Sequence, residues 1–147
     1  MGKKVEHQLE SDNKKILDYA SSVFRSDFID IYLGAKCFFA ISISSGWDNV
    51  PGVLFRRPVL YTNVVPISQV QTWNINTLAI FKRHWLTAEQ RFLTQSEIFS
   101  LIDQDFVSSW PQFDERGIAL IENTADDIKD AAVEMVDTIL CNRITRT

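Results

Sequence analysis

Cysteine is scarce in this chain. Cys37 and Cys141 are the two it has, far apart in 147 residues. Such a pair makes neither a disulfide framework nor a metal-ligand spacing. Both read as buried thiols of a reducing compartment. There are two histidines, so no convincing metal set is legible. Long apolar runs are missing too. The longest, Cys37 to Ile41, falls far short of the ~20 residues that span a bilayer. The opening Met1–His7 is charged and no hydrophobic stretch follows, so it does not read as a secretory signal. A soluble, cytoplasmic chain without a membrane span is expected. Positive charge is in deficit: 15 Lys and Arg face 19 Asp and Glu, a net charge of −4. That argues against nucleic acid as a partner over a broad face. The nucleophile-elbow, P-loop and H-E-x-x-H patterns do not occur, which removes sequence support for those reaction classes.

What is present is ordinary for a globular protein: 46% hydrophobic and 23% charged residues. A chain of this size buries roughly 68–70% of its unfolded surface and needs no staple. The reading is a polar N-terminal leader over residues 1–13 and one α/β domain over 14–147.

Ile16 to Tyr19 fits either a short strand or a helix start. Ser26 offers an N-cap, with Asp27 favourable beside the dipole. Phe28, Ile29, Tyr32 and Leu33 follow at one-face helical spacing up to Gly34. Cys37 to Ser44 is nearly all apolar and reads as a strand buried on both faces, a parallel-sheet signature. Ser44-Ser45-Gly46 breaks it. A short helix is expected from Trp47 to Phe55, with Pro51 in its first turns. Arg56-Arg57 reads as a surface turn and Pro58 to Thr62 as a strand. This alternation points to a three-layer, Rossmann-like α/β domain with a mostly parallel sheet. Residues 63–94 are less regular, with a strand at Thr77 to Phe81. Thr94 to Glu97 is a capping box that opens a helix to about Asp103. After a helical turn ending at Gly117, Ile118 to Ile121 is a last strand. Thr124 caps a final helix whose apolar stripe runs Ile128, Ala131, Ala132, Met135, Val136, Ile139 and Leu140.

The candidate chemistry gathers at Ser44, Ser45 and Gly46. A strand that turns into a helix through Ser and Gly exposes free N–H groups, which suit a phosphate. In open α/β sheets ligands sit in this crevice, at the C-terminal strand ends. A plain capped turn fits the same residues. Asp48 and Asn49 follow the turn and are placed to meet sugar hydroxyls. Lys82-Arg83-His84-Trp85 reads either as a solvated basic turn or as a site for acid/base work or diphosphate contact. Trp47, Trp73, Trp85 and Trp110 all fall in or beside expected loops, where rings suit sugars or a partner, or close the core. Glu122, at a strand end, is a weaker site candidate.

The run from Arg25 to Ala35, the Phe38-Phe39 strand, Ser45-Gly46, Val50-Pro51, Phe55 and Arg57 to Pro66 resembles a family of glycosyltransferase-like proteins from bacterial surface-polysaccharide clusters. The likeness continues through Lys82 to Leu86, Arg91 to Thr94, Glu97 to Phe99 and Gly117-Ile118, and reaches Ile121 to Thr124 and Glu134-Met135. It spans nearly all the chain from about residue 14. The resemblance implies the GT-B architecture and, within it, the C-terminal half that holds a nucleoside diphosphate sugar. It would set Ser44, Ser45 and Gly46 against the diphosphate, with Asn63 and Pro66 bordering the same crevice. Arg25, Lys82 and His84 become phosphate or sugar contacts by position. No carboxylate pair with ligand spacing stands out in the sequence, so no metal is expected, and no cofactor. The N-terminal acceptor half of that architecture has no counterpart here, so the lone chain is expected to be catalytically incomplete. A companion domain or a homo-oligomer is then the expected macromolecular partner. The alternative is a non-catalytic binding or oligomerisation domain derived from such an enzyme.

Overall fold

The computed structural model describes residues 8–66, 70, 74, 76–102 and 110–144. The capping signal at Ser26 acts as its sequence suggests. Its hydroxyl accepts from the Ile29 N–H at 3.2 Å and opens helix α1, Asp27–Lys36. The Tyr19 hydroxyl holds this corner, donating to the Ser26 carbonyl and accepting from its N–H, both at 3.2 Å. Residues 16–19 are neither strand nor helix. At the far end Arg57 does not stay in a surface turn. Its Nε donates to the Ala35 carbonyl at 2.7 Å and takes up one of the helix's last acceptors.

Three parallel strands follow: β1, Ala40–Ser42; β2, Val59–Val64; and β3, Thr77–Phe81, in the order β1-β2-β3. The strand buried on both faces is β2, not β1. Val59 and Leu60 are fully buried, whereas β1 lies at the sheet edge with Ile41 half exposed. Edge strands are commonly short, which is why β1 keeps three residues of the apolar Cys37–Ser44 run. Alternation along β2 splits the core. Val59 and Tyr61 pack with Ala40 and Val64, beside Trp47 and Cys37; Leu60 packs on the other face. That second face is covered by the last helix, α4, Ala125–Ile144, through Ala131 and Met135. Its stripe is shorter than its spacing suggests, because Leu140 is exposed. Between β1 and β2 the expected helix is a single wide π-turn, Val50–Leu54. α1 rests on it so closely that a Cβ on Gly34 would lie 2.7 Å from Val50 Cγ1.

The rest departs from one mostly parallel sheet. β4, Arg83–Leu86, β5, Arg91–Phe92, and β6, Ile118–Ile121, form a separate antiparallel sheet in the order β5-β4-β6. Helices α2, Gln95–Ile102, and α3, Trp110–Glu115, complete this half. Its core is Phe113 and Ile118, joined by Val65, Leu86, Leu93, Leu101 and Leu120. The Lys82–Trp85 stretch is therefore no basic turn. It enters and forms the central strand, and His84 takes an inward position that a sequence pattern assigns to an apolar residue.

Asn63 and Asn123 link the two sheets. Asn63, at φ 56, breaks the regular pairing of β2 with β3. Its N–H donates to Asn123 Oδ1 and its own Oδ1 accepts from the Asn123 N–H, both at 2.7 Å. Asn123 Nδ2 donates to the Phe81 carbonyl at 2.9 Å. Lys82 adds its N–H to the Val64 carbonyl at 3.2 Å.

Candidate functional site

Parallel strands align their C-terminal ends along one edge, and there the Ser42–Gly46 turn meets the end of β2. A cleft of about 720 Å³ opens at this corner, lined by Ser42, Ser45, Trp47 and Thr62 and, from α1, Leu33 and Lys36. Its floor runs along β1 through Phe39 to Ile43. That volume lies in the range of small-molecule sites.

The turn itself is a left-handed corner. Ser44 has φ 64 and Gly46 φ 84. Glycine adopts the second without strain, and a Cβ there would meet nothing within 4 Å. The backbone at Gly46 therefore faces open space. The amides are only partly free. Ser42 Oγ accepts from the Ser44 N–H at 3.1 Å and the Ser45 N–H at 3.5 Å. This corrects the expectation that Ser44 and Ser45 would present unpaired donors. The amides of Gly46, Trp47 and Asp48 find no acceptor among the described residues, and the following turn closes from Asn49 back to the Gly46 carbonyl at 3.2 Å. Of these three residues Trp47 lines the cleft, Gly46 is exposed outside its lining, and Asp48 is buried.

Asp48 is not a surface contact. It is 1% exposed and absent from the cleft lining. It turns inward toward the Tyr61 hydroxyl, whose pKa is raised by burial and then by this carboxylate. Asp48 Oδ2 and Trp47 Nε1 are buried without a hydrogen-bond partner among the described residues. Cys37 lines the cleft as a thiol: its Sγ donates to the Gly34 carbonyl at 3.4 Å, and burial pushes its pKa up. It is not a nucleophile in waiting. Lys36, exposed at the end of α1, is the cation on the lining.

The remaining sequence candidates go elsewhere. Arg25 sits one residue before the Ser26 cap and does not line the cleft. Asn63 stands at the C-terminal edge of β2, but Asn123 occupies its backbone N–H and its side-chain Oδ1. Lys82 is buried and reaches Glu122 Oε1 at 3.2 Å, which gives Glu122 a structural partner. His84 is buried against Phe113, ring centroids 5.4 Å apart, with Nδ1 unpartnered among the described residues. Burial holds its pKa below the usual imidazole value. It is a core residue, out of solvent and away from the cleft lining. Cys141 is exposed rather than buried. Trp73 and residues 104–109 lie outside the described residues.

Of the expected Ser44–Gly46 turn only Ser45 lines the cleft, and Lys36 and Thr62 line it without having been singled out. Thr62 ends an expected strand beside the turn, so its position carried a signal. Lys36 carried none, since a lysine at a helix end is the commonest dipole partner. Among the described residues no group of His, Cys, Asp and Glu is placed to hold a metal, and no helix is long and apolar enough to cross a membrane. No protein-family model, curated protein or solved structure matches the chain.

Proposed function

We propose that this chain is a Rossmann-like donor-binding domain, the C-terminal half of a GT-B-like glycosyltransferase, and that it holds a nucleoside diphosphate sugar in the cleft beside Ser45. The observation that carries this reading is the position of the cleft. It reaches the C-terminal ends of two adjacent parallel strands, where Ser42, Ser45, Trp47 and Thr62 line it. The diphosphate takes the amides of Gly46 and Trp47, with the Lys36 ammonium as counter-charge. The hydroxyls of Ser42, Ser45 and Thr62 and the Trp47 ring receive the uncharged parts of the ligand. Fixed donors aimed at the diphosphate stabilise it most as it leaves, so the domain's share of transfer chemistry is to accept that charge. The acceptor and the general base belong to a companion domain.

The test is isothermal titration calorimetry with nucleoside diphosphates and nucleotide sugars. Micromolar binding that weakens at least tenfold in Gly46→Val and in Lys36→Ala, both still folded by circular dichroism, agrees with the reading. A folded chain that binds none of them at millimolar concentration contradicts it and leaves the non-catalytic alternative.

A further inference from the structure

Strand β1 has one bonded edge and one bare edge. It pairs with β2 alone, at the end of the order β1-β2-β3. The Ala40 N–H donates to the Pro58 carbonyl at 3.0 Å, so Ala40 and, two residues on, Ser42 turn their main-chain groups toward β2. Alternation sends the N–H and C=O of Ile41 the other way. Neither finds a partner among the described residues. The cleft runs along this bare edge. Phe39 packs on the α4 face of the sheet and Ala40 on the opposite face, yet both line it, together with Ile41, Ser42 and Ile43. A groove over one face would take alternate residues, whereas an edge takes consecutive ones. Leu17, Tyr19 and Leu33 line it as well, so the groove is largely apolar, and Lys36 is its one charged residue among those described.

We propose that this groove seats an extended segment of a partner polypeptide, which adds to β1 as a fourth strand of the parallel sheet. The main chain selects the occupant. An unpaired edge is a template for another extended backbone, and strand addition takes its affinity from main-chain bonds and its specificity from pockets for alternate side chains. Ile41 offers one donor and one acceptor on the same side, the complement of a residue in an extended chain. The lining selects the side chains. Leu17, Leu33 and Phe39 suit apolar residues at alternate positions, and Lys36, with no acidic residue beside it on the lining, suits a carboxylate. Phe39 to Ile43 spans roughly 13 Å, the reach of a five-residue strand. A second folded copy does not fit, because its own β1 edge is recessed in the same groove. The proposal rests on the β1 main chain and not on what the Ser45 corner holds, and its test contains no nucleotide.

Random octapeptides displayed on phage and panned against the immobilised full chain test this, with the recovered sequences synthesised and titrated by fluorescence anisotropy. The expected peptides alternate apolar residues, carry an acidic one and bind at micromolar concentration. Ile41→Pro removes the outward N–H and no bond to β2, at an edge position where a strand tolerates proline. It should weaken binding by roughly tenfold or more, with native circular dichroism. Ile41→Val keeps the N–H and should leave binding unchanged. N-methylation of the peptide's own amides at alternate positions should abolish binding in one phase and spare it in the other, a readout that leaves the protein unaltered. A library that yields no binder overturns the proposal. So do peptides that bind Ile41→Pro as well as they bind the parent chain, or whose N-methylated forms bind equally in both phases.

Discussion

The reciprocal clasp of Asn63 and Asn123 ties the end of β2 to the segment after β6, and its worth can be worked out. In Asn123→Ala, the Asn63 N–H loses its acceptor at 2.7 Å and the Phe81 carbonyl loses a donor at 2.9 Å. Each neutral bond contributes about 0.5–1.5 kcal/mol net. The Asn63 end is only partly buried, so water replaces part of the loss and the expected destabilisation is about 1–2 kcal/mol. Asn63→Ala removes the acceptor of the Asn123 N–H and also places an alanine at φ 56. The left-handed conformation adds roughly 1–2 kcal/mol. Asn63→Gly loses the same acceptor without that strain, so it should be milder by about 1 kcal/mol. The two side chains act as one unit, so the double variant Asn63→Ala/Asn123→Ala should cost less than the sum of the singles, by roughly 0.5–1.5 kcal/mol. Urea unfolding with a constant slope measures all four. Strict additivity, or an Asn63→Gly no milder than Asn63→Ala, would refute the reasoning.

Further expectations concern the core and its charges. Leu60→Ala, at a fully buried position under α4, should cost about 2–5 kcal/mol in the same assay; a loss below the lower figure would mean that α4 collapses onto the gap. Burial holds the His84 pKa below the usual 6.5, so the unfolded chain takes up a proton first as pH falls. Stability should therefore be full above 6.5 and decline below it until His84 itself titrates. In a His84→Leu chain the fall between pH 6.5 and 5 should flatten, as thermal melts at stepped pH would read. Glu97 is pushed down to about 2 by Arg91 first and then by the Thr94 amide and hydroxyl. Its contribution is present above its ordinary 4.5 and fades as pH drops toward 2, so Glu97→Gln should remove part of the acid sensitivity in that lower window.

Much of the fold was legible because local chemistry and tertiary structure agree. The Ser26 and Thr94 caps, the β2 and β3 cores and the Ala131–Met135 stripe each announce themselves by spacing and are found where expected. The antiparallel sheet was not legible for a physical reason. β4 reads Arg-His-Trp-Leu, and its inward place is filled by a histidine whose burial depends on Phe113, some thirty residues away. The same holds for the site. The turn at Gly46 was visible, since only its own sequence makes it. The loss of the Ser44 and Ser45 amides to Ser42 Oγ depends on a hydroxyl that the strand pattern assigned to the core. The inward turn of Asp48 toward Tyr61 likewise follows from packing between elements.

Amide chemical-shift mapping of the labelled chain, titrated with a nucleoside diphosphate, tests the cleft most directly. The account predicts saturable shifts centred on Ser45, Gly46, Trp47 and Thr62, with Lys36 among the residues affected. Shifts confined to the antiparallel sheet around His84, or none at all, would contradict it.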